Sequence, residues 1–450
     1  MNAVAQADPK DALSADELID AWPVLSKIDR AEGFAILPRP EAEEVFLGLG
    51  AADQLLLMES LPAGEKRSWA RLLPPDDAAD LMQMASPAQR EALLELLDEP
   101  TRKEVKALLA YKEDEAGGLM NPRYARVRPD MTVDEAVSYL RQQARAKVET
   151  IYVAYVLDDQ RVLVGVVSFR DLFSAQQSLR VRDIMRTEFV TVTEQQDQES
   201  VSRLFAQHDL VAIPVVDAEG RMKGIVTVDD IVDVVQEEAT EDAQKFGGME
   251  ALDAPYLQIG LLRMIKKRAG WLAVLFLGEM LTATAMAFFE GEIARAVVLA
   301  MFIPLIISSG GNSGSQASTL VIRAMALGEV RLRDWWRVIR REVVSGLALG
   351  LVLGSIGFLR IVIWNAVGGR VNHKPPYGEH GFLVAVTVFF SLLGVVLFGS
   401  LSGSLLPFLL KKLKFDPASA SAPFVATLVD VTGLIIYFTA ASLILKGTLL

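Results

Sequence analysis

Two hydrophobic rhythms divide this chain. From residue 270 onward long apolar runs dominate, and segments 270–289, 296–322, 343–367, 381–410 and 417–445 are each long enough to cross a bilayer as a helix. Before them, apolar residues come in short groups. Residues 31 to about 120 read as brief helices punctuated by Pro38, Pro62, Pro74, Pro75, Pro87 and Pro100, each stopping one helix and opening the next at its first turn. Leu93, Leu94, Leu96 and Leu97 give one such helix its inner face. Between residues 120 and 235, helical stretches alternate with apolar runs of strand length, an α/β pattern. The chain is therefore expected to be multidomain. It divides into an all-α superhelical N domain (1–120), an α/β pair (121–235), an acidic connecting helix (236–269) and a five-helix transmembrane domain (270–450).

Charge follows the same division. Of 57 acidic and 45 basic residues, nine and eighteen fall after residue 255, leaving a head of net charge −21 and a tail of +9. Such asymmetry means two solvents. The head's field repels phosphate, which excludes nucleic acid as a partner, and attracts divalent cations. There are no cysteines, so disulfides and thiolate metal sites are excluded. The N-terminus carries Asp8, Asp11 and Asp16 with no early apolar run, unlike a signal peptide, so the head is expected to stay in the cytoplasm. On that placement thirteen Lys and Arg flank the spans inside against four outside, as the positive-inside rule requires, and the C-terminus lies outside.

The α/β region contains an internal duplication. Leu119-Met120 aligns with Ile184-Met185, Ala154-Tyr155-Val156 with Pro214-Val215-Val216, and Gly165 through Asp171 with Gly224 through Asp230. Neither copy is large enough to bury both faces alone, so the two share a core. The pair resembles CBS modules, regulatory domains of transporters and metabolic enzymes. That resemblance implies that Ser168, Arg170 and Asp171, or Thr227 and Asp230, hold the ribose of an adenine nucleotide such as ATP. The alternative is that hydroxyl and carboxylate only cap the following helix.

On the connecting helix, Asp230, Asp233, Glu237 and Glu241 recur at spacings of three and four and share one face, where like charges repel unless a divalent cation intervenes. In the N domain, acids such as Asp76, Asp77 and Asp80 read as a solvated face.

Two acids fall inside the apolar runs. Asp430 stands alone in 417–445, fourteen residues after the helix start expected at Asp416-Pro417, and so close to the bilayer middle. An intramembrane carboxylate is costly and marks a functional site by default. A basic partner is not expected for it well inside another span. Glu279, in the first span, could line the path, face another helix while protonated, or snorkel, and a structural or neutral state is the expectation. The motif Gly310-Gly311-Asn312-Ser313-Gly314-Ser315-Gln316 follows Pro304 and lacks the Gly-Lys-Ser/Thr ending of a phosphate loop. It reads either as a loosened helix lining water or as close packing. Packing is the expectation for Gly346, Gly350, Gly354, Gly399 and Gly403. His373, Glu379 and His380 lie in a loop with Pro375-Pro376, too flexible for a zinc site. No nucleophile or acid–base set lies near the bilayer, so no enzyme is expected.

In their order along the chain, these features make the sequence similar to the MgtE family of magnesium channels. The resemblance rests on Glu113 through Met120 at the N-domain exit, the CBS pair, the acidic connecting helix, Gly310-Gly311-Asn312-x-Gly314-x-Gln316, and Asp416-Pro417-Ala418…Pro423…Asp430. It implies a homodimer in the bacterial plasma (inner) membrane with a pore on the two-fold axis, Asp430 of both subunits holding hydrated Mg²⁺ and Ala426 offering its carbonyl. It implies sensing of cytosolic Mg²⁺ by Glu44, Asp76 and Asp80, by Asp197, Glu199, Asp209, Asp230 and Asp233, and by Glu238, Glu241, Asp242 and Asp416. Ala422, where the family often has a polar residue before Pro423, and Glu279, where a small or neutral residue is expected, are departures. An ion-coupled secondary transporter of Mg²⁺, Co²⁺ or Mn²⁺ is the alternative, although no repeated half supports it.

Overall fold

The computed structural model describes residues 14–145, 148–149, 152–254, 256–257, 259–372 and 376–450, and it forms two compact units, Met1–Gln236 and Glu237–Leu450. His373 lies outside the described residues.

The first unit opens with an array of short helices: α1 (Ala15–Ala21), α2 (Lys27–Ile36), α3 (Arg39–Gly48), α4 (Ala51–Ser60), α5 (Ala63–Ala70), α6 (Pro75–Met84), α7 (Pro87–Leu96), α8 (Glu99–Leu108) and α9 (Ala116–Leu119). The array begins at residue 15 rather than 31. Pro38, Pro62 and Pro74 occupy the N-caps of α3, α5 and α6, and Pro75, Pro87 and Pro100 lie in the first turns of α6, α7 and α8. There proline's missing N–H costs nothing. Phe34 and Phe46 each pack on Trp69 with ring centroids 5.1 Å apart, and these rings anchor the core.

The duplicated region follows. One copy comprises β1 (Arg126–Val127), α10 (Val133–Ala144), β2 (Val153–Leu157), β3 (Leu163–Ser168) and α11 (Phe169–Ser174). After α12 (Val181–Ile184), the other comprises β4 (Val192–Thr193), α13 (Gln198–His208), β5 (Ala212–Val216), β6 (Met222–Thr227) and α14 (Val228–Phe246). In each three-stranded sheet the first strand runs parallel to the second, and the second antiparallel to the third. Val156 pairs with Gly165 and Val215 with Gly224, so Val156 is equivalent to Val215 and Ala154 to Ile213. The sequence alignment of Ala154 with Pro214 is thus one residue out of register. These strands are buried on both faces, so no polar alternation fixes their phase.

The copies exchange their lead-in segments. Asn121, just after α9, bridges to Ile225 of β6, and Arg186, just after α12, bridges to Val166 of β3. Glycine is required at both crossings. A Cβ on Gly165 would lie 2.7 Å from the Met185 sulfur, and one on Gly224 2.8 Å from the Asn121 carbonyl oxygen.

Among the described residues of the second unit, five helices are long and apolar enough to cross a membrane. They are α15 (Leu261–Phe288), α18 (Ile303–Ala326), α19 (Trp335–Asn372), α20 (Gly381–Lys412) and α21 (Ala422–Ile444), with the short α16 (Glu290–Arg295) and α17 (Val297–Ala300) between the first two. α15 starts nine residues before the expected boundary and takes in Arg263, Lys266, Lys267 and Arg268. The Gly310–Gln316 motif is continuous helix, not a loosened one, and Pro304 sits harmlessly in its first turn. Its glycines serve packing. A Cβ on Gly399 would strike the carbonyl of Gly310, and one on Gly403 that of Gly314, so α18 and α20 meet backbone to backbone. Gly346, Gly350 and Gly354 bring α19 against Leu397, Leu393 and Phe389 of α20 in the same way. A basic residue does fall inside a span: Arg360 in α19, which is exposed.

The fifth span does not start where Asp416-Pro417 suggested. Asp416 caps a 3-10 turn, Pro417–Ser419, accepting from the Ala418 N–H at 2.8 Å, and α21 then begins afresh with Ser421 as its cap. Asp430 therefore lies eight residues into the helix, about 12 Å along its axis, in its first half rather than four turns deep.

Candidate functional site

In the first unit, acids gather where α6 faces the region around Glu149 and the start of α14. Asp76 is 5% exposed and accepts a hydrogen bond from the Asn121 amide at 3.0 Å, while the same amide donates to Glu149 at 2.7 Å. Burial, then the charges of Asp77 and Glu149, push the Asp76 carboxyl up to about 7. Asp77 also rises to about 7 through burial and the charges of Asp230, Glu149, Asp229 and Asp233. Asp80 rises to about 8 through burial, Asp76, Asp77, Glu113 and Asp230. Asp230 rises to about 7 by burial, against the pull of its hydrogen bond with Thr227. These acids are no solvated face. They are crowded carboxylates short of positive charge, the electrostatic condition that a divalent cation relieves.

Of the expected sensing residues, the fold brings Asp76, Asp80, Asp230 and Asp233 together, and adds Asp77, Glu113, Glu149 and Asp229. Glu44 stands exposed on α3. Asp197 caps α13, Glu199 pairs with Arg203 at 3.3 Å, and Asp209 ends α13 in the left-handed conformation with φ 50°. None of these four contributes to the cluster.

The residues expected to hold a nucleotide are engaged in capping. Ser168 accepts from the Asp171 N–H at 3.0 Å, and the Thr227 hydroxyl donates to Asp230 at 2.6 Å. Arg170 is exposed. One difference separates the copies. The second carboxylate oxygen of Asp171 is buried without a hydrogen bond, with Arg186 3.6 Å away.

In the second unit, Asp430 is half-buried on α21, and the side chain it meets is Glu279 of α15. The two helices are close here, since a Cβ on Gly278 would lie 2.5 Å from the Thr427 methyl. Ala426 sits one turn earlier against Gly311 of α18, with 3.4 Å between its Cβ and the position a Gly311 Cβ would take. Its carbonyl lies inside α21 and accepts the helix's own N–H, so only its second lone pair is free for an ion. Ser308, Asn312 and Gln316, four residues apart on α18, form an exposed polar stripe. No residue of α15 is buried within the chain.

The end of α14 reaches the entrance of α21. Lys245 donates to Asp416 at 2.6 Å and also pairs with Glu241, one turn back on its own helix. Burial opposes the ammonium charge, but hydrogen bonds to Asp416 and Glu241 outweigh it and raise the pKa. Just beyond, Gly248 turns with φ +74° beside Pro423 and Ser421. Sequence reasoning named Glu241 and Asp416 and passed over Lys245, which binds them. Glu238 and Asp242 lie on the same helix.

Among the described residues, no three His, Cys, Asp or Glu side chains form a preformed metal cage. Carboxylates alone, at Asp76, Asp77, Asp80 and Asp230 or at Asp430 and Glu279, are donors of the kind hydrated Mg²⁺ takes, since it keeps several waters and is commonly held through one or two carboxylates.

Fold and site together define a class: a multi-pass divalent cation transporter bearing a soluble helical domain and a CBS pair. Residues 303–440 match the family model of a divalent cation transporter, MgtE, residues 13–114 that of the MgtE intracellular N domain, and residues 116–178 and 181–237 that of the CBS domain. The chain is 41% identical to the magnesium transporter MgtE of Thermus thermophilus over 440 residues, covering 97% of this chain and 94% of that one. The protein belongs to the MgtE family of magnesium transporters. Among solved structures, the cytosolic domain of the Mg²⁺ channel MgtE in complex with ATP is 43% identical, with a TM-score of 0.46, covering 49% of this chain and 90% of that one. Inosine-5'-monophosphate dehydrogenase of Aquifex aeolicus is 30% identical over 137 residues, only 30% of this chain, a likeness that carries no enzyme activity over.

Proposed function

We propose that this transporter is a Mg²⁺-selective channel mediating Mg²⁺ uptake, working as a homodimer in the bacterial plasma membrane and closed by intracellular Mg²⁺. The observation that carries this reading is Asp430, an acid in the apolar half of α21, with Glu279 beside it. Two copies would surround the path with carboxylates, a ring of negative charge that attracts a hydrated divalent cation. The exposed polar stripe Ser308, Asn312 and Gln316, and the uncovered α15, support a second copy closing around that path.

Gating follows from the acids. Without cations, the crowded carboxylates of α6, Glu149 and α14 repel. Mg²⁺ bridging them favours the compact state, and linkage makes that state the one that high internal Mg²⁺ selects. The contacts of Lys245 and Gly248 with Asp416 and Pro423 give α14 a hold on the entrance of α21. Adenine nucleotide is the second ligand of this reading, and the Asp171 oxygen that faces Arg186 without a hydrogen bond is where a ribose hydroxyl would donate.

Single-channel recording of the purified protein in bilayers, with Mg²⁺ varied on each side, tests the proposal. Unitary Mg²⁺ currents that fall as internal Mg²⁺ rises are expected. Coupled flux without unitary current would instead identify an ion-driven carrier. Neutralising Asp230, Asp233, Glu241 and Asp242 together should hold the pore open at high internal Mg²⁺, and closure at the usual concentration would remove the gate from the head.

A further inference from the structure

An apolar trough of about 800 Å³ opens between the start of α19, the end of α20 and α21. Its floor is Leu405, Leu406 and Leu409 of α20, its inner wall is Leu428 of α21, and Trp335 stands at its mouth. Two cations, Arg333 and Lys412, also line the trough. Neither has an ion-pair partner among the described residues. Asp334, the acid beside them, accepts from the Arg331 N–H at 3.1 Å and pairs with Arg337 at 3.4 Å. The one polar side chain inside, Ser402, donates to the Gly399 carbonyl and asks nothing of an occupant.

The trough has the polarity of a phospholipid. From Lys412 back to Leu405 is seven residues, about 10 Å of helix, so it runs from charged rim into hydrocarbon depth. Trp335 and Trp336, 49% and 63% exposed, belong at that boundary. Basic pockets between membrane helices bind acidic lipid headgroups. A second copy of this chain would have to meet Arg333 and Lys412 with acids, and Asp334 is already engaged.

We propose that this trough binds one anionic phospholipid, its phosphate held by Arg333 and Lys412 and an acyl chain lying against Leu405, Leu409 and Leu428. The acyl chain then lies against Leu428 of α21, the helix that also carries Asp430. The site itself does not rest on the channel reading; only its placement in the cytosolic leaflet rests on the orientation expected from the charges that flank the spans.

Native mass spectrometry of the full chain, released from nanodiscs of equal phosphatidylglycerol and phosphatidylcholine, reads retained lipid without any ion flux, so failure of the channel reading leaves this measurement standing. The expected result is preferential retention of phosphatidylglycerol, reduced about thirty-fold in Arg333→Gln/Lys412→Gln, the loss that two near-surface basic residues would carry. A second variant, Leu405→Trp/Leu409→Trp, keeps both cations and fills the trough, and it should lose the lipid as well. Equal retention of both lipids, or unchanged retention in both variants, overturns the proposal. So does efficient cross-linking between two copies of Leu406→Cys, which would make the occupant a second chain.

Discussion

The side chain of Glu279, on α15, meets that of Asp430, on α21, inside the membrane domain. The first span is thereby joined to the last at the acid on which transport is proposed to depend. The chain brings two carboxyl groups, rather than one, to that level.

Asp430→Asn should abolish Mg²⁺ flux while the protein still assembles and inserts. The measurement is Mg²⁺ uptake into proteoliposomes, with size-exclusion chromatography as the assembly control. Wild-type uptake would remove Asp430 from the path.

Glu279→Gln should transport but bind its ion less tightly, because one of the two neighbouring carboxyl groups is gone. The Mg²⁺ concentration for half-maximal flux is expected to rise about tenfold, roughly 1.4 kcal/mol. If the half-maximal concentration does not move, Glu279 serves only helix packing.

The acidic cluster of the first unit makes stability depend on pH. Asp76, Asp77 and Asp230 titrate near 7 and Asp80 near 8 in the fold, far above the usual carboxylate range of the unfolded chain. The folded state thus binds more protons across that interval. Stability is full below about pH 4 for these groups and is lost as pH rises through 7 to 8. In Mg²⁺-free buffer, the protection of α6 against hydrogen exchange in the full chain, corrected for the intrinsic pH dependence of amide exchange, should be greater at pH 6 than at pH 8. Millimolar Mg²⁺ should raise it much more at pH 8.

Lys245→Met removes the ammonium that joins Glu241 to Asp416. The pair is partly exposed, so the loss is about 1 kcal/mol, and the internal Mg²⁺ needed for closure should rise about fivefold. An unchanged closing concentration would show that this ion pair has no part in the gate.

If the Asp171 oxygen that lacks a hydrogen bond receives a ribose hydroxyl, Asp171→Asn should weaken ATP binding by calorimetry, whereas Thr227→Ala should not. No heat from the wild type at millimolar ATP returns both residues to capping alone.

Features written in local chemistry were legible in the sequence. A lone charge in an apolar run announced Asp430, prolines announced the helical array, and a recurring glycine announced the duplicated strands. Where two local rules compete, the boundary moved. Asp416-Pro417 satisfies the rule for a helix start, yet Ser421 and Pro423 satisfy it too, and the later pair opens α21. In β2 and β5, burial on both faces removes the alternation that would have fixed the register. Long-range encounters left no trace. The Asn121 amide links Asp76, 45 residues back, to Glu149, 28 residues on, and Lys245 finds Asp416 across 171, by packing that no spacing encodes.

The exchanged lead-in segments of the CBS pair impose an order on synthesis. The first copy's β3 lacks its covering segment until Met185 and Arg186 have left the ribosome, and the second copy's β6, once made, must find Met120 and Asn121 far behind it. Neither half can finish alone, so the pair should fold, and yield to force, in one step.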